Sequence, residues 1–269
     1  MAKDSDAAAP PNGLMLYHLE FSTCSQKVRL ALAEKGLDYG SYLIERTKGD
    51  LLSDWYLAIN PNGVVPSLVH NGAPVLDSSV ICEYLDEVFP EPPLSPKTAL
   101  GRAEMRSWMR YFEEVPTTAI RIPSFNQFKG LHRGTMGEEA FLAYTEKLPL
   151  RKHFYRQMGD AGFDEQKTAE SLERLKSCLA RVSKRLDDGR PFLLGDAYTI
   201  ADIVLVPTVV RLEDLKLTEL WDDLPNIARW YAAVQARPSF AIAFKGGARI
   251  DPAKMVPEPP MLAKATGAR

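Results

Sequence analysis

The stretch from Asn60 to Leu85 constrains the fold of this chain more than any other part of it. Within it, Asn71-Gly72 separates two short apolar runs and is a strong two-residue signal for a β-hairpin. Val65-Pro66 stands at the mouth of the first of these strands, where a proline cannot donate a hydrogen bond to the sheet. A cis peptide bond in a tight turn would account for a proline there, so we predict one between Val65 and Pro66.

The same stretch offers groups that could bind a small acidic peptide. The residue before a cis proline can turn its backbone N–H and C=O groups outward, where an extended peptide can pair with them. Ser78 begins a predicted helix, and the unpaired N–H groups of a helix N-terminus attract anions. A backbone clamp at Val65 and a carboxylate cradle at Ser78 are therefore expected close together in the chain.

This pattern resembles the glutathione-binding half of the thioredoxin-like domain of glutathione transferases, through Val65-Pro66, Asp77-Ser78 and the helix that they open. The resemblance implies that glutathione is the co-substrate. It further implies that Asp77 and Ser78 hold the γ-glutamyl end of glutathione, and that Val65, next to Pro66, clamps its cysteinyl unit.

The glycyl end of glutathione is less clearly matched by the sequence. Asn62 and Lys48 are the candidates for reaching the glycyl carboxylate, although Lys48 also fits a solvated loop. Many transferases carry a glutamine just before the clamp residue, whereas this chain has Val64 there.

The chain divides into two predicted domains with a tail at each end. Residues 14–88 follow the order strand, helix, strand, helix, strand, strand, helix, which predicts a thioredoxin-like domain. Strands joined through helices imply parallel pairing, and the hairpin adds one antiparallel strand. The proline-rich residues 89–96 predict a linker, and residues 97–249 predict a helical bundle that forms the substrate-binding domain. The predicted fold class is thus α/β plus all-α, with residues 1–13 as a flexible tail and 250–269 as an irregular one.

The second half carries its own signature. Thr199-Ile200-Ala201-Asp202 has the form of a capping box, follows the segment Phe192–Asp196 and opens the apolar run 203–210. Together these match the "FLLGD…TIADI" segment in the second domain of glutathione transferases. The resemblance then covers roughly residues 14–244.

Between Arg121 and Gln166 the chain is irregular, basic and aromatic. With the segments SDW at 53–55, ICEYL at 81–85 and RAEMR at 102–106, it resembles the bacterial glutathione-dependent β-etherases and related fungal transferases. In that branch an enlarged helical domain forms the pocket for a bulky aromatic ether, as in the degradation of lignin aromatics. The aromatic candidates for lining such a pocket are Tyr111, Phe125 and Phe128.

The turn before the first helix is where the thiol of glutathione would be activated. A thiol has a pKa of about 8.5, so the protein must stabilise the thiolate, and a hydroxyl at a helix N-terminus can do this. The candidates are Ser22, Thr23, Cys24 and Ser25. The tetrad resembles the "SSCS" turn of zeta-class transferases, which favours Ser22, whereas alignment to the etherases favours Ser25; we rank Ser25 first and Ser22 second.

Cys24 supports a different chemistry. In omega-class transferases and glutaredoxins a cysteine at this place forms a mixed disulfide with glutathione, although a proline usually follows it and here Ser25 does. Cys82 and Cys178 fit inert packing roles within helices.

Composition excludes several other classes of protein. The formal net charge of −2 gives no sign of a nucleic-acid-binding surface, and no apolar run is long enough to span a membrane. Three scattered cysteines form neither a disulfide framework nor a zinc site, and the four histidines have no metal-ligand spacing. The N-terminus lacks the apolar core of a signal peptide. We therefore expect a cytoplasmic protein that needs no metal, and the resemblance to glutathione transferases implies a homodimer.

Three functions remain open. The first is attack of glutathione on an electrophilic aromatic substrate, with cleavage of a β-aryl ether as its more specific form. The second is a Cys24-dependent glutathione disulfide oxidoreductase. The third is a non-enzymatic ligand-binding protein on the transferase fold, since a fold does not fix a function.

Overall fold

A computed structural model describes residues 10–127, 136–159 and 161–250 of the chain. The first half contains the following strands and helices: β1 (Leu14–His18), α1 (Thr23–Glu34), β2 (Gly40–Leu43), α2 (Asp54–Ile59), β3 (Ser67–His70), β4 (Ala73–Leu76) and α3 (Ser78–Val88). Short 3₁₀ helices at Pro11–Gly13, Arg46–Lys48 and Asp50–Leu52 complete it. This order confirms the thioredoxin-like domain.

The second half is helical, as predicted. Its helices are α4 (Ala99–Glu114), α5 (Pro116–Ala119), α6 (Arg121–Gln127), α7 (Glu138–Glu146), α8 (Lys152–Tyr155), α9 (Glu165–Arg185), α10 (Ile200–Asp214), α11 (Pro225–Gln235) and α12 (Pro238–Ala243), with a 3₁₀ helix at Thr218–Leu220.

The four strands form one sheet in the order β2-β1-β3-β4. β1 and β2 are parallel, whereas β3 is antiparallel to both β1 and β4. Parallel pairing of β3 with β1, which the helix between β2 and β3 suggested, is therefore wrong. Ser67 pairs with Tyr17, so β3 begins at the end of the sheet where β1 and β2 finish. The six-residue α2, about 9 Å long, does not carry the chain back along the sheet, and β3 has to run in the opposite direction.

The hairpin and the turn before it form as the sequence predicts. Asn71 (φ 50°) and Gly72 (φ 86°) both adopt the left-handed conformation that a tight two-residue hairpin needs. The Val65-Pro66 peptide bond is cis.

Helix α1 lies between the sheet and the helical domain. Its apolar side chains, Val28, Ala31 and Leu32 among them, are buried in the main core. Gly36 follows the helix with φ 61°, the conformation expected of a glycine just past a helix C-terminus. The helix begins at Thr23, because Ser22 caps it.

Polar contacts from α1 fasten the two halves together. The buried Lys27 ammonium contacts the Glu113 carboxylate at 2.7 Å and Thr117 Oγ1 at 3.1 Å. At the other end of the helix, Glu34 accepts two hydrogen bonds from the Arg237 guanidinium, both at 2.6 Å. The first helix is thus held by both ends of the helical domain.

The capping box at the start of α10 is confirmed. Asp202 is fully buried, and its carboxylate accepts hydrogen bonds from the backbone N–H groups of Thr199 and Leu193 and from Trp230 Nε1, each at 3.0 Å. These bonds tie the segment before α10 to α11, so the capping box also organises the core of the helical domain.

Both predicted tails are shorter than expected where the structure describes them. Pro11–Gly13 form a 3₁₀ helix, and Asn12 Nδ2 donates to the Asp38 carbonyl at 3.0 Å. Ile250 is buried, and its N–H donates to the Asp214 carboxylate at 3.1 Å. The rest of both tails lies outside the described residues.

Among the helices that the structure describes, none is long and apolar enough to cross a membrane.

Candidate active site

A cleft lies where the thioredoxin-like half meets the helical half. Its volume is about 1010 Å³, which includes space that opens to solvent. Ser22, Thr23 and Cys24 line one wall, and residues of α6, α8 and α10 line the opposite wall. The turn that was predicted to activate a thiol therefore faces an open cleft between the two halves.

Ser25, which the sequence ranked first, does not line this cleft. It lies within α1, is fully buried, and its hydroxyl accepts a weak hydrogen bond from Leu19 N–H at 3.4 Å. Ser22 caps the helix by accepting from Ser25 N–H at 3.3 Å. Ser22 thus lies at the cleft, and Ser25, three positions further along the chain, lies in the core.

The clamp residue Val65 also lines the cleft and takes no part in the sheet, whose pairing with β1 ends at Ser67. The preceding turn is fixed from behind, since the Val64 carbonyl accepts from Tyr56 OH at 2.7 Å and from Asn60 Nδ2 at 2.8 Å. Pro66 is buried beneath it. The backbone of Val65 is thereby presented to the cleft by a rigid support.

The two candidates for binding the glycyl carboxylate lie in different places, one in the cleft lining and one outside it. Asn62 lines the cleft, and its N–H donates to the Asn60 side chain at 3.1 Å. Lys48 lies outside the lining, is exposed, and contacts the Glu45 carboxylate at 2.7 Å. The hydrogen bond that Lys48 donates to Glu45 raises the pKa of Lys48. Its exposed position is that of a residue in a solvated loop.

Asp77 and Ser78 likewise lie outside the cleft lining. The Asp77 carboxylate caps α3, accepting from Ser79 N–H at 2.9 Å, Val80 N–H at 3.2 Å and the Ser79 hydroxyl at 2.7 Å. Ser78 is buried in the first turn of that helix. The structure does not bring this pair together with the thiol-activating turn in one cavity, so their role toward glutathione stays a prediction.

Arginines were the main omission of the sequence reasoning. Arg46, Arg121, Arg151 and Arg211 all line the cleft. The basic character of residues 121–166 pointed to two of them. Arg211 gives a subtler signal, as a single cation within the otherwise apolar run of α10.

Cations also surround Cys24. Burial lowers the pKa of Arg121, and the charge of Arg151 adds to this, while Cys24 opposes it through its charge and a hydrogen bond. Burial lowers the pKa of Lys27 as well, but Glu113 and, to a lesser extent, Cys24 raise it, and the net change is upward. Arg121 and Lys27 therefore place positive charge beside this turn.

The three aromatic residues that were expected to line the pocket differ in where they lie. Phe125 lines the cleft together with Tyr144 and Tyr155. Tyr111 does not; its ring packs against Trp108 and Phe112, and the Arg181 guanidinium lies 4.0 Å from its centroid. Phe128 lies outside the described residues. Cys82 and Cys178 are buried, and burial raises the pKa of both thiols, which fits packing roles.

Within residues 10–127, 136–159 and 161–250, no cluster of His, Cys, Asp or Glu side chains could hold a metal ion.

Two family models match the chain. Residues 16–93 match the glutathione S-transferase N-terminal domain, and residues 165–233 match the glutathione S-transferase C-terminal domain. Glutathione S-transferase Z2 of Arabidopsis thaliana is 43% identical over 228 residues, covering 84% of this chain and 88% of the relative.

The protein LigF of Sphingobium sp. strain SYK-6 is 29% identical over 249 residues, which cover 88% of this chain and 95% of LigF. The crystal structure of this β-etherase superposes with a TM-score of 0.76 at 28% identity, over 87% of this chain and 99% of LigF.

A glutathione transferase from Burkholderia graminis, crystallised with two glutathione molecules per subunit, has a TM-score of 0.68 at 27% identity over 88% of this chain and 89% of its own. The matches in both halves, the shared fold and the cleft between the two domains show that the chain belongs to the glutathione transferase family.

Proposed function

We propose that this protein binds glutathione in the cleft and directs its thiolate onto an electrophilic aromatic substrate, and that this substrate is a β-aryl ether. The observation that carries the proposal is the cleft itself. Ser22, Cys24 and Val65 stand on one wall, and Phe125 and Tyr155 stand on the other. The likeness to the β-etherase LigF over most of the chain supports the choice of an ether.

Ser22 is the proposed donor to the glutathione sulfur. A hydroxyl can accept and donate at the same time, so Ser22 can cap α1 and still donate its proton to a thiolate. The N-terminus of α1 and the nearby guanidinium of Arg121 add positive potential. Thr23 and Cys24 border the same position as alternatives, and Ser25 supports the turn from within the helix.

The remaining site residues are proposed to hold glutathione. Val65, followed by Pro66, pairs with the cysteinyl backbone, while Asn62 and the more distant Lys48 attract the glycyl carboxylate. Asp77 and Ser78 receive the γ-glutamyl end beyond the cleft. Glutathione is a co-substrate here, and the proposal needs no metal. We further propose that the protein acts in the cytoplasm as a homodimer.

The reaction balances without another reactant. The glutathione sulfur attacks the carbon that bears the aryloxide, next to a carbonyl group, so a C–S bond forms as the C–O bond breaks. The aryloxide leaves with the electron pair and is protonated by solvent. Holding sulfur and carbon within about 3–3.5 Å and in line is the main task of the cleft.

The test uses glutathione and both enantiomers of a model α-carbonyl β-aryl ether, with release of the phenol followed over time. We expect phenol release from at least one enantiomer. Absence of release from both, alongside conjugation of 1-chloro-2,4-dinitrobenzene, would restrict the function to a transferase for other electrophiles. Absence of both reactions, with glutathione still bound, would favour a ligand-binding protein.

A second candidate follows from Cys24, which is half-buried, lines the cleft and has cations beside it. Its thiolate could take the glutathionyl group from a mixed disulfide, releasing the partner thiol. A second glutathione would then release glutathione disulfide and restore Cys24. Cys24→Ser separates the two functions, because it abolishes this exchange while leaving ether cleavage within a fewfold of wild type if Ser22 is the donor.

A further inference from the structure

Four arginines and no acidic residue line the cleft, as far as the described residues show. Arg46 comes from the thioredoxin-like half, and Arg121, Arg151 and Arg211 come from the helical half. No salt bridge joins any of these last three to a carboxylate of the described residues. Unpaired positive charge in a partly closed cavity is costly, and it indicates a site that an anion completes.

Arg211 gives the strongest indication, because its side chain is only 6% exposed. Its terminal nitrogens donate to Ser124 Oγ at 3.3 Å and to the Phe21 carbonyl. Its Nε is buried without a hydrogen-bond partner among the described residues. The neighbouring Asp214 is bound to Arg249 and to the N–H of Ile250; its charge acts on Arg211, but it forms no salt bridge with it among the described residues.

Arg121 and Arg151 face the same region of the cleft. The charge of Arg151 contributes to lowering the pKa of Arg121, after burial, which places the two guanidinium groups within electrostatic reach of each other. Both also oppose the rise that burial causes in the pKa of Tyr155, as does Arg46. Like charges gathered around one phenol repel one another, and a bound anion would relieve that repulsion.

Glutathione alone does not account for all of this charge. It carries two carboxylates, and the γ-glutamyl one is proposed to lie near Ser78, outside the cleft. The glycyl carboxylate is proposed to lie beside Asn62, and Arg46 comes from the same half of the protein as Asn62. This leaves the three arginines of the helical half facing the space for the second substrate.

We propose that the electrophile carries a carboxylate on its aromatic portion, and that Arg121, Arg151 and Arg211 bind this carboxylate at the end of the cleft formed by the helical domain. Planar guanidinium groups match carboxylate geometry, and their hydrogen bonds to it are stronger than those between neutral groups. The inference rests on the proposed function and narrows its substrate to anionic aromatic electrophiles. It does not alter the thiol chemistry.

The test compares two ligands that share glutathione and differ by one carboxylate. These are S-benzylglutathione and S-(carboxybenzyl)glutathione, the latter as its 3- and 4-isomers, with dissociation constants measured by calorimetry. We expect the better carboxylated isomer to bind wild-type protein roughly ten- to a hundredfold more tightly, the range for hydrogen bonds to charged groups.

Arginine variants then show which residues cause the preference for the carboxylated ligand. Arg151→Gln should reduce this preference at least fivefold while changing the affinity for S-benzylglutathione less than twofold, and Arg121→Gln should reduce the preference by a similar factor. Arg110→Gln, which removes an exposed arginine of α4 outside the cleft, is the matched control and should keep the preference.

Two results would overturn the inference, and they differ from failure of the proposed function. Wild-type protein could bind S-benzylglutathione and show no preference for either carboxylated isomer. Alternatively, the arginine variants could weaken both kinds of ligand equally, which would assign these residues to glutathione itself. If S-benzylglutathione does not bind at all, the proposed function fails and this inference fails with it.

Discussion

At the scale of single residues, the site depends on which way four adjacent side chains point at the start of α1. Ser22, Thr23 and Cys24 face the cleft, whereas Ser25 is turned into the core. Two serines three residues apart therefore lie in different surroundings. The hydroxyl of Ser22 can reach a ligand in the cleft, whereas that of Ser25 contacts only the backbone N–H of Leu19. Side-chain chemistry is the same at both, so only position separates their roles.

This difference gives a prediction for the two serines. Ser22→Ala should lower kcat with glutathione and an aryl electrophile at least tenfold and cost about 1 kcal/mol of stability through the lost helix cap. Ser25→Ala should leave kcat within twofold, with a stability loss of about 0.5–1.5 kcal/mol from one weak hydrogen bond. Steady-state kinetics and urea unfolding of both variants test this. A large fall in kcat for Ser25→Ala alone would restore the order suggested by the sequence.

At the scale of elements, the turn between α2 and β3 matters most. Asn60, Tyr56 and Ser67 form a buried hydrogen-bonded group behind Val64, with Tyr56 OH lying 3.0 Å from Ser67 Oγ and Asn60 Nδ2 lying 2.9 Å from it. Burial raises the pKa of Tyr56 to about 12, so its phenol stays protonated and can donate to the Val64 carbonyl. Val64, which precedes the proposed clamp residue Val65, is thus held by side chains that lie outside the cleft lining.

We therefore predict that Tyr56→Phe raises the KM for glutathione severalfold with little change in kcat, since it loosens a binding element and leaves the reacting sulfur untouched. The loss in stability should be about 1–3 kcal/mol, because partners of the phenol remain buried. Tyr84→Phe is the matched control, as that phenol contacts His70 Nδ1 at 2.8 Å away from the cleft. Equal KM values in the two variants would argue against this role of Tyr56.

The same turn shows how far sequence reasoning can go. Asn71-Gly72 and Val65-Pro66 were predictable because their backbone requirements are local. The direction of β3 was not, since it depends on where the connection from β2 ends in space. Arg211 was missed for a related reason: it contacts the carbonyl of Phe21, 190 positions away, and nothing near it in the chain reveals that contact.

At the scale of the whole molecule, stability depends on polar groups buried where the sheet meets α1. His18 on β1 is 4% exposed; its Nδ1 lies 3.2 Å from an Arg29 terminal nitrogen and its Nε2 lies 2.8 Å from Ser41 Oγ. Burial, and then the charge of Arg29, lower the pKa of His18 to about 4. In the folded protein the imidazole therefore stays neutral, accepting from Arg29 and donating to Ser41.

The pH dependence follows from the direction of this shift. Between about pH 6.5 and 4 the unfolded chain binds a proton at His18 that the folded protein does not, so the free energy of unfolding falls as the pH falls through this window. The slope from this residue is at most about 1.4 kcal/mol per pH unit. Urea unfolding at several pH values gives the free energy of unfolding as a function of pH. In His18→Gln its slope should be smaller by up to about 1.4 kcal/mol per pH unit, which corresponds to one proton. An identical slope in the variant and in wild-type protein would refute the assignment.

The cleft has one wall from each domain, and this division bears on how the protein could diversify. Changes at Arg151 or Phe125 would alter which electrophile is accepted while leaving the turn at Ser22 and the proposed clamp at Val65 intact. A duplicated gene could therefore explore new substrates through its second half alone, with the sulfur chemistry inherited unchanged. Because each domain forms one wall of the cleft, the accepted substrate can change while the reaction of the sulfur stays the same in all such descendants.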